Sequence, residues 1–120
     1  MHADDLRSYL LSKAAATEEQ PFGPDVLVYK VAGKMFATLE IDDGDGLERC
    51  NLKSDPERAA ELRLENDAII PGYHMNEKHW NTLVLEALLK DALVRELVDH
   101  SGDLVVAGLT KKARAAVLNH

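Results

Sequence analysis

Cysteine is the scarcest informative residue: Cys50 stands alone among 120 residues. An internal disulfide and a CxxC metal or redox motif are both excluded, which fits a reducing compartment and leaves Cys50 as a small core filler. Long apolar runs are also missing. LVVAGL at 104 to 109 is far too short to span a bilayer, and the N-terminal MHADDLRSYLL is acidic where a signal peptide is basic. A cytoplasmic protein with no membrane partner is expected. Bases are outnumbered, 14 against 21 acids, for a formal charge of −7. The whole-molecule field therefore repels polyanions, and nucleic-acid binding must come from a local patch. No low-complexity tract or internal repeat interrupts the chain. Residues 1–120 therefore read as one domain, able to bury roughly two-thirds of the surface of the unfolded chain.

The periodicities that are present order the chain as follows. Leu6, Tyr9, Leu10 and Ala14 recur at helical spacing behind Asp4 and Asp5, giving a helix over 4–15. TEEQPFGPD then breaks regular structure before a strand over 26–31. After the Ala32-Gly33 turn, KMFATLEI alternates as a half-solvated strand, with Met35, Ala37, Leu39 and Ile41 on one face and Lys34, Thr38 and Glu40 on the other. LERCNL follows as a third strand. Ser54 or Asp55 can cap a helix over 55–66, with Pro56 in its first turn and Glu57 completing a possible S-x-x-E box. Short strands are expected at 67–70 and 80–86. A long helix over 90–108 should present Leu93, Leu97, His100, Leu104 and Gly108, flanked by Val94, Val98, Ser101 and Val105, to the sheet. Thr110 can cap a last helix, KKARAAVL. The sum is an α+β two-layer sandwich whose antiparallel sheet is covered on one face by helices.

Catalytic signatures are missing as well. No HExxH, G-x-S-x-G, Walker loop or G-x-G-x-x-G occurs, and Ser8, Ser12, Ser54 and Ser101 hold plain helix or cap positions. No enzyme activity and no cofactor are expected. His74 and His79 lie about 140° apart on a helix and on opposite faces of a strand, so neither geometry joins them on a metal. Asp42, Asp43 and Asp45 with Glu48 form an acidic loop that fails the EF-hand spacing, reading as a solvated turn with weak divalent binding at most.

Two stretches are left for function. GYHMNEKHWNT, residues 72 to 82, concentrates the only Trp, a Tyr, two His and two Asn. Tyr73 and Trp80 could stack on bases while His74, Asn76, Lys78, His79 and Asn81 donate to phosphate or base edges. The same composition suits a protein contact, and the structural alternative makes Trp80 a core residue with its N–H satisfied. Lys111 and Lys112 sit in the first turn of a helix, where the dipole disfavours cations. With Arg114 and the free amides there, they form an anion site suited to a phosphate backbone, or a merely solvated basic cluster.

PFGPDVLVYKVAGKMFA, NLKSDPERAAEL, IIPGYHMNEKHWNT and LVDHSGDLVVAGLTKKAR, in this order, resemble the MmcQ/YjbR family of small bacterial proteins across nearly the whole chain. The resemblance implies a CyaY-like, frataxin-type α/β sandwich and a DNA-binding role through a proposed double-wing motif. It places the motif at Pro21 to Asp25, Lys53, Pro71 to His74, Asn76, Lys78 to Thr82, and Lys111 to Arg114. Gly102 departs from the aromatic, and Thr110 from the Pro, common in relatives; Gly102 costs roughly 1 kcal/mol of helix stability relative to Ala. The acidic ridge by which frataxin relatives bind iron is not matched by Asp4 and Asp5, so no metal is carried over. The reading is thus a monomeric, non-enzymatic DNA-binding module contacting backbone through Lys53, Lys78, Lys111, Lys112 and Arg114. The alternative is a protein-interaction or small-ligand module built around Trp80.

Overall fold

Strand-forming runs of Val, Leu, Phe and Tyr occupy the middle of the chain, and two amphipathic helices flank them at either end. The computed structural model describes residues 1–41, 47–73, 75–85 and 89–119. Its elements are α1 (Ala3–Leu11), β1 (Ala16–Glu19), β2 (Val26–Val31), β3 (Lys34–Glu40), β4 (Arg49–Lys53), α2 (Pro56–Glu65), β5 (Ile69–Pro71), β6 (Trp80–Val84), α3 (Asp91–Ala107) and α4 (Lys111–Leu118). The strands form a six-stranded antiparallel sheet in the order β1-β2-β3-β4-β6-β5.

Leu27 and Tyr29 on β2, Ala37 and Leu39 on β3, Cys50 and Leu52 on β4 and Leu83 on β6 are buried on one face of this sheet. Leu6 and Leu10 of α1, Leu62 of α2 and Val94, Leu97, Val98 and Val105 of α3 close over them in a single core. This is the expected α+β arrangement. The buried stripe of α3 runs through Val94, Leu97, Val98, Ser101, Gly102 and Val105. It is centred on the expected flank of Val94, Val98, Ser101 and Val105, and Leu93, His100 and Leu104 are only half-buried.

The structure corrects four local expectations. Helix α1 stops at Leu11, and Ala15, at φ 60°, turns the chain into β1, a strand in a stretch expected to be irregular. That edge strand is held by charge: Arg7 donates to both Glu18 carboxylate oxygens at 2.8 and 2.7 Å, and the Tyr29 hydroxyl donates to Glu18 at 2.7 Å. The alternation of β3 is broken by a bulge, because Tyr29 pairs with Ala37 and Lys30 with Met35, leaving Phe36 unopposed. Phe36 therefore turns into the core against Tyr29, and Met35 leaves the face of Ala37 and Leu39. The carbonyl of Phe36 is satisfied by Ser101 Oγ at 2.5 Å, and the same oxygen accepts the Lys53 amide at 2.9 Å. At the start of α2 no side chain caps the helix; Ser54 donates to the Asp55 carbonyl, and the Asp55 amide donates to His100 Nε2 at 3.2 Å. Lastly, Thr38 is buried rather than solvated, for a reason that lies on the other side of the sheet.

Candidate nucleic-acid interface

Among the described residues no helix packs on the second face of the sheet. Across its middle run Val28, Thr38, Asn51, Thr82 and Ile70, cross-strand neighbours in successive pairs. Asn51 Nδ2 donates to Thr38 Oγ1 at 2.9 Å, Thr82 Oγ1 donates to Asn51 Oδ1, and the Tyr73 amide donates to Thr82 Oγ1 at 2.7 Å. Asn51 and Thr82 are 2% and 0% exposed, so this ladder is a buried polar floor whose groups satisfy one another.

Two loops rise from that floor. One carries Phe22, 74% exposed, between Pro21 and Pro24; the other carries Tyr73, 41% exposed, and Met75. With Val26, Met35, Thr38, Glu40 and Asn51 they line a groove of about 380 Å³. Arg49 lies 5.3 Å from the centre of the Tyr73 ring, a cation–π contact that braces the second wall. A Cβ on Gly72 would meet both Cβ and the carbonyl oxygen of Trp80 at 2.9 Å, so only glycine lets this loop lie against β6. Asn76 makes the turn that follows: its Oδ1 accepts the Lys78 amide at 2.9 Å, and its carbonyl accepts the His79 amide at 3.2 Å. Trp80 is half-buried, on the open face with Thr82, and so is not the core residue of the structural alternative.

The two ends of the sheet differ in charge. Asp25, Glu40 and Glu48 stand at one end, with Asp4 of α1 sharing a cavity with Glu48. Asp42, Asp43 and Asp45, the possible weak cation loop, fall outside the described residues, as does His74. At the opposite end Lys34 and Lys53 line one cavity of about 270 Å³ with Met35 and with Leu104, Val105 and Gly108 at the C-terminal end of α3. The partial negative charge of that helix end favours both ammonium groups. Lys53 is the cross-strand partner of Trp80, and Lys78 lies two residues before Trp80. Gly108 leads within three residues to Lys111, so the α4 start lies within about 11 Å of Gly108 along the chain. Thr110 caps α4 as expected, accepting the Ala113 amide at 3.2 Å.

Which cations are already engaged decides what this end can do. Among the described residues Arg7, Lys13, Lys30 and Arg58 pair with Glu18, Asp99, Glu19 and Glu96, whereas Lys34, Lys53, Lys78, Lys111 and Lys112 make no ion pair. Two of the expected contact residues are committed elsewhere. Asn81 is buried under α2, accepting from Arg63 at 2.8 Å and donating to the Ala59 carbonyl at 3.2 Å. Arg114 folds back on the end of α3, donating to the carbonyls of Ala107 and Leu109 at 3.0 and 3.2 Å. His79 is half-buried and ties the turn to α2 through its carbonyl, which accepts the Ser54 amide at 2.8 Å. Sequence reasoning missed Lys34 as a site residue, and the resemblance placed Phe22 within the Pro21 to Asp25 motif without giving it a contact role. The signal for Phe22 was there, a large aromatic between two prolines in a loop, but the facing wall of Tyr73 and Met75 lies some fifty residues away.

Comparison with known proteins places this geometry. The YjbR family model matches residues 11–104. The chain belongs to the YjbR family. Among its relatives, YbdF of Escherichia coli O157:H7 is 39% identical over 97 residues, covering 81% of this chain and 78% of that protein. YjbR of Escherichia coli K12 is 29% identical over 115 residues, 95% of each chain. A DUF419-domain crystal structure, Deinococcus radiodurans DR2400, superposes with a TM-score of 0.85 at 39% identity, covering 95% of this chain and 86% of that one. A Pseudomonas syringae crystal structure does so at 0.78 and 26%, covering 88% and 99%. Each of these matches spans the β2–β6 region, which carries Lys34, Lys53, Lys78 and most of the groove, so the YjbR fold is the scaffold of that part of the candidate site; the family model ends before Lys111 and Lys112.

Proposed function

We propose that this YjbR-family protein is a non-enzymatic DNA-binding module whose lysine-bearing sheet end meets the phosphate backbone. The observation that carries the reading is the sparing of Lys34, Lys53, Lys78, Lys111 and Lys112 from ion pairing among the described residues, with Lys34 and Lys53 in one cavity. The net charge of −7 does not oppose it at short range. Strand β3 has 7 residues, so the acidic and basic ends are about 20 Å apart, beyond the Debye length of about 8 Å at physiological ionic strength.

The absence of catalysis in this proposal is supported by where the nucleophiles point. Ser8, Ser12, Ser54 and Ser101 each donate to a backbone carbonyl, and burial pushes the Cys50 thiol far up, keeping it protonated. Fluorescence anisotropy with labelled DNA at low salt tests the reading. Lys111→Ala with Lys112→Ala should weaken binding roughly fivefold or more and lower the salt dependence by about one to two charges. No binding of single-stranded or duplex DNA at low salt would end the proposal.

The open-face groove favours a second reading, a protein-contact or small-ligand module. Its mark would be a change in Trp80 fluorescence with a protein or metabolite and none with DNA.

A further inference from the structure

The groove between Phe22 and Tyr73 is the feature that backbone contacts leave unused. Its walls are Phe22, Val26, Met35, Tyr73 and Met75, its one carboxylate is Glu40 at the end away from Lys34, and its polar floor residues Thr38 and Asn51 are already bonded within the Thr38–Asn51–Thr82 ladder. Such a site asks for a flat apolar face and offers few hydrogen bonds for reading an edge. Met35 lines both this groove and the cavity of Lys34 and Lys53, so the groove adjoins the site of two ammonium groups that make no ion pair among the described residues. A partner with planar, stackable rings on an anionic strand matches both halves.

We propose that the open sheet face receives the bases of a single DNA strand, stacked against Phe22 and Tyr73, while its phosphates run past Lys34 and Lys53. This inference builds on the DNA-binding reading and names the form of DNA. In a duplex the bases are stacked on one another and show only their edges, so they cannot enter between the two loops. A strand is bound with little sequence preference, because the floor amide and hydroxyls are internally paired. Deoxyribose is preferred to ribose, since a 2′-hydroxyl against the Val26 and Met35 walls would lose its water partners without replacement. Phe22 is suited to the role by its setting: Pro21 and Pro24 limit the freedom of its loop, so little is lost on binding.

The test compares a labelled twelve-base deoxyuridine strand, its duplex with the complementary deoxyadenosine strand and the corresponding uridine strand, which differs from the first only in its 2′-hydroxyls, each at low salt. The wild type should bind the DNA strand about tenfold or more tighter than the duplex and tighter than the RNA strand. Phe22→Ala with Tyr73→Ala, its fold checked by circular dichroism, should lose roughly tenfold to a hundredfold for the strand while keeping its duplex affinity. Tyr73→Phe, which keeps the ring, should bind as the wild type does. Equal affinity for strand and duplex, or an unchanged double variant, would overturn the base-stacking inference while leaving backbone binding intact. RNA bound as tightly as DNA would overturn the deoxyribose preference, and no binding to any probe would overturn both this inference and the DNA reading.

Discussion

Single residues in this protein show how position, not type, sets the cost of a side chain. Gly102 lies inside α3 at a buried position, yet a Cβ there would meet nothing within 4 Å. The helix carries the entropic cost of glycine without a steric reason. Gly102→Ala should therefore stabilise the protein by about 1 kcal/mol, read as a raised midpoint in urea unfolding. Glu18 is the opposite case, a carboxylate the fold depends on. The Arg7 hydrogen bonds hold it below the usual carboxylate range; burial opposes them, and the Tyr29 hydroxyl adds to them. Asp99 behaves alike: burial pushes it up, but hydrogen bonds from Lys13 and the Tyr9 hydroxyl outweigh that and hold it low. Because both folded-state values are lowered, their stabilisation is complete above the unfolded values of about 4 and is lost as pH falls through the folded ones. Urea unfolding from pH 7 to 3 should show stability dropping below about pH 4. Glu18→Gln should remove about 1–3 kcal/mol at pH 7 and flatten that acid limb.

At the scale of elements, most of the sheet and all four helices could be read from periodicity and caps, and the exceptions have physical causes. β1 reads TEE-rich and polar because it is an edge strand whose acids are neutralised by Arg7 and Lys30, partners that no local pattern reveals. The bulge between β2 and β3 was illegible because one extra residue changes no composition. Only the adjacent buried pair Phe36 and Ala37 betrays it. That bulge is stitched by α3: Ser101 satisfies the Phe36 carbonyl and the Lys53 amide at once. Ser101→Ala should cost about 1–3 kcal/mol in unfolding free energy, since two buried backbone groups lose their partner together. The candidate site divides in the same way. The 72–82 segment announced itself through its residue types, and its Tyr73 and Trp80 do stand on the open face. Asn81 did not follow, because strand alternation sends it to the helix side, and Phe22 and Lys34 joined only through tertiary pairing.

The whole molecule separates its charges along the strands. Asp25, Glu40 and Glu48, with Arg7 and Arg49 among them, stand where β2 begins and β3 ends, while Lys34 and Lys53 share a cavity where β3 begins, β4 ends and α3 terminates. No formal count of charge reveals this, since −7 is a sum and a ligand feels only what lies within about a Debye length. In the proposed DNA-binding reading the lysine end meets the phosphate backbone while the acidic end repels it. The groove on the open face lies between these ends, apolar and roofless, and adds the stacking surface that lysines alone lack. The most direct test of the account is the dependence of single-stranded DNA affinity on salt. If three to five lysines meet phosphates, log Kobs should fall against log [salt] with a slope of roughly −2 to −3.5, shallower by about one when Lys53→Ala is introduced. A slope near zero, or one that Lys53→Ala leaves unchanged, would contradict it.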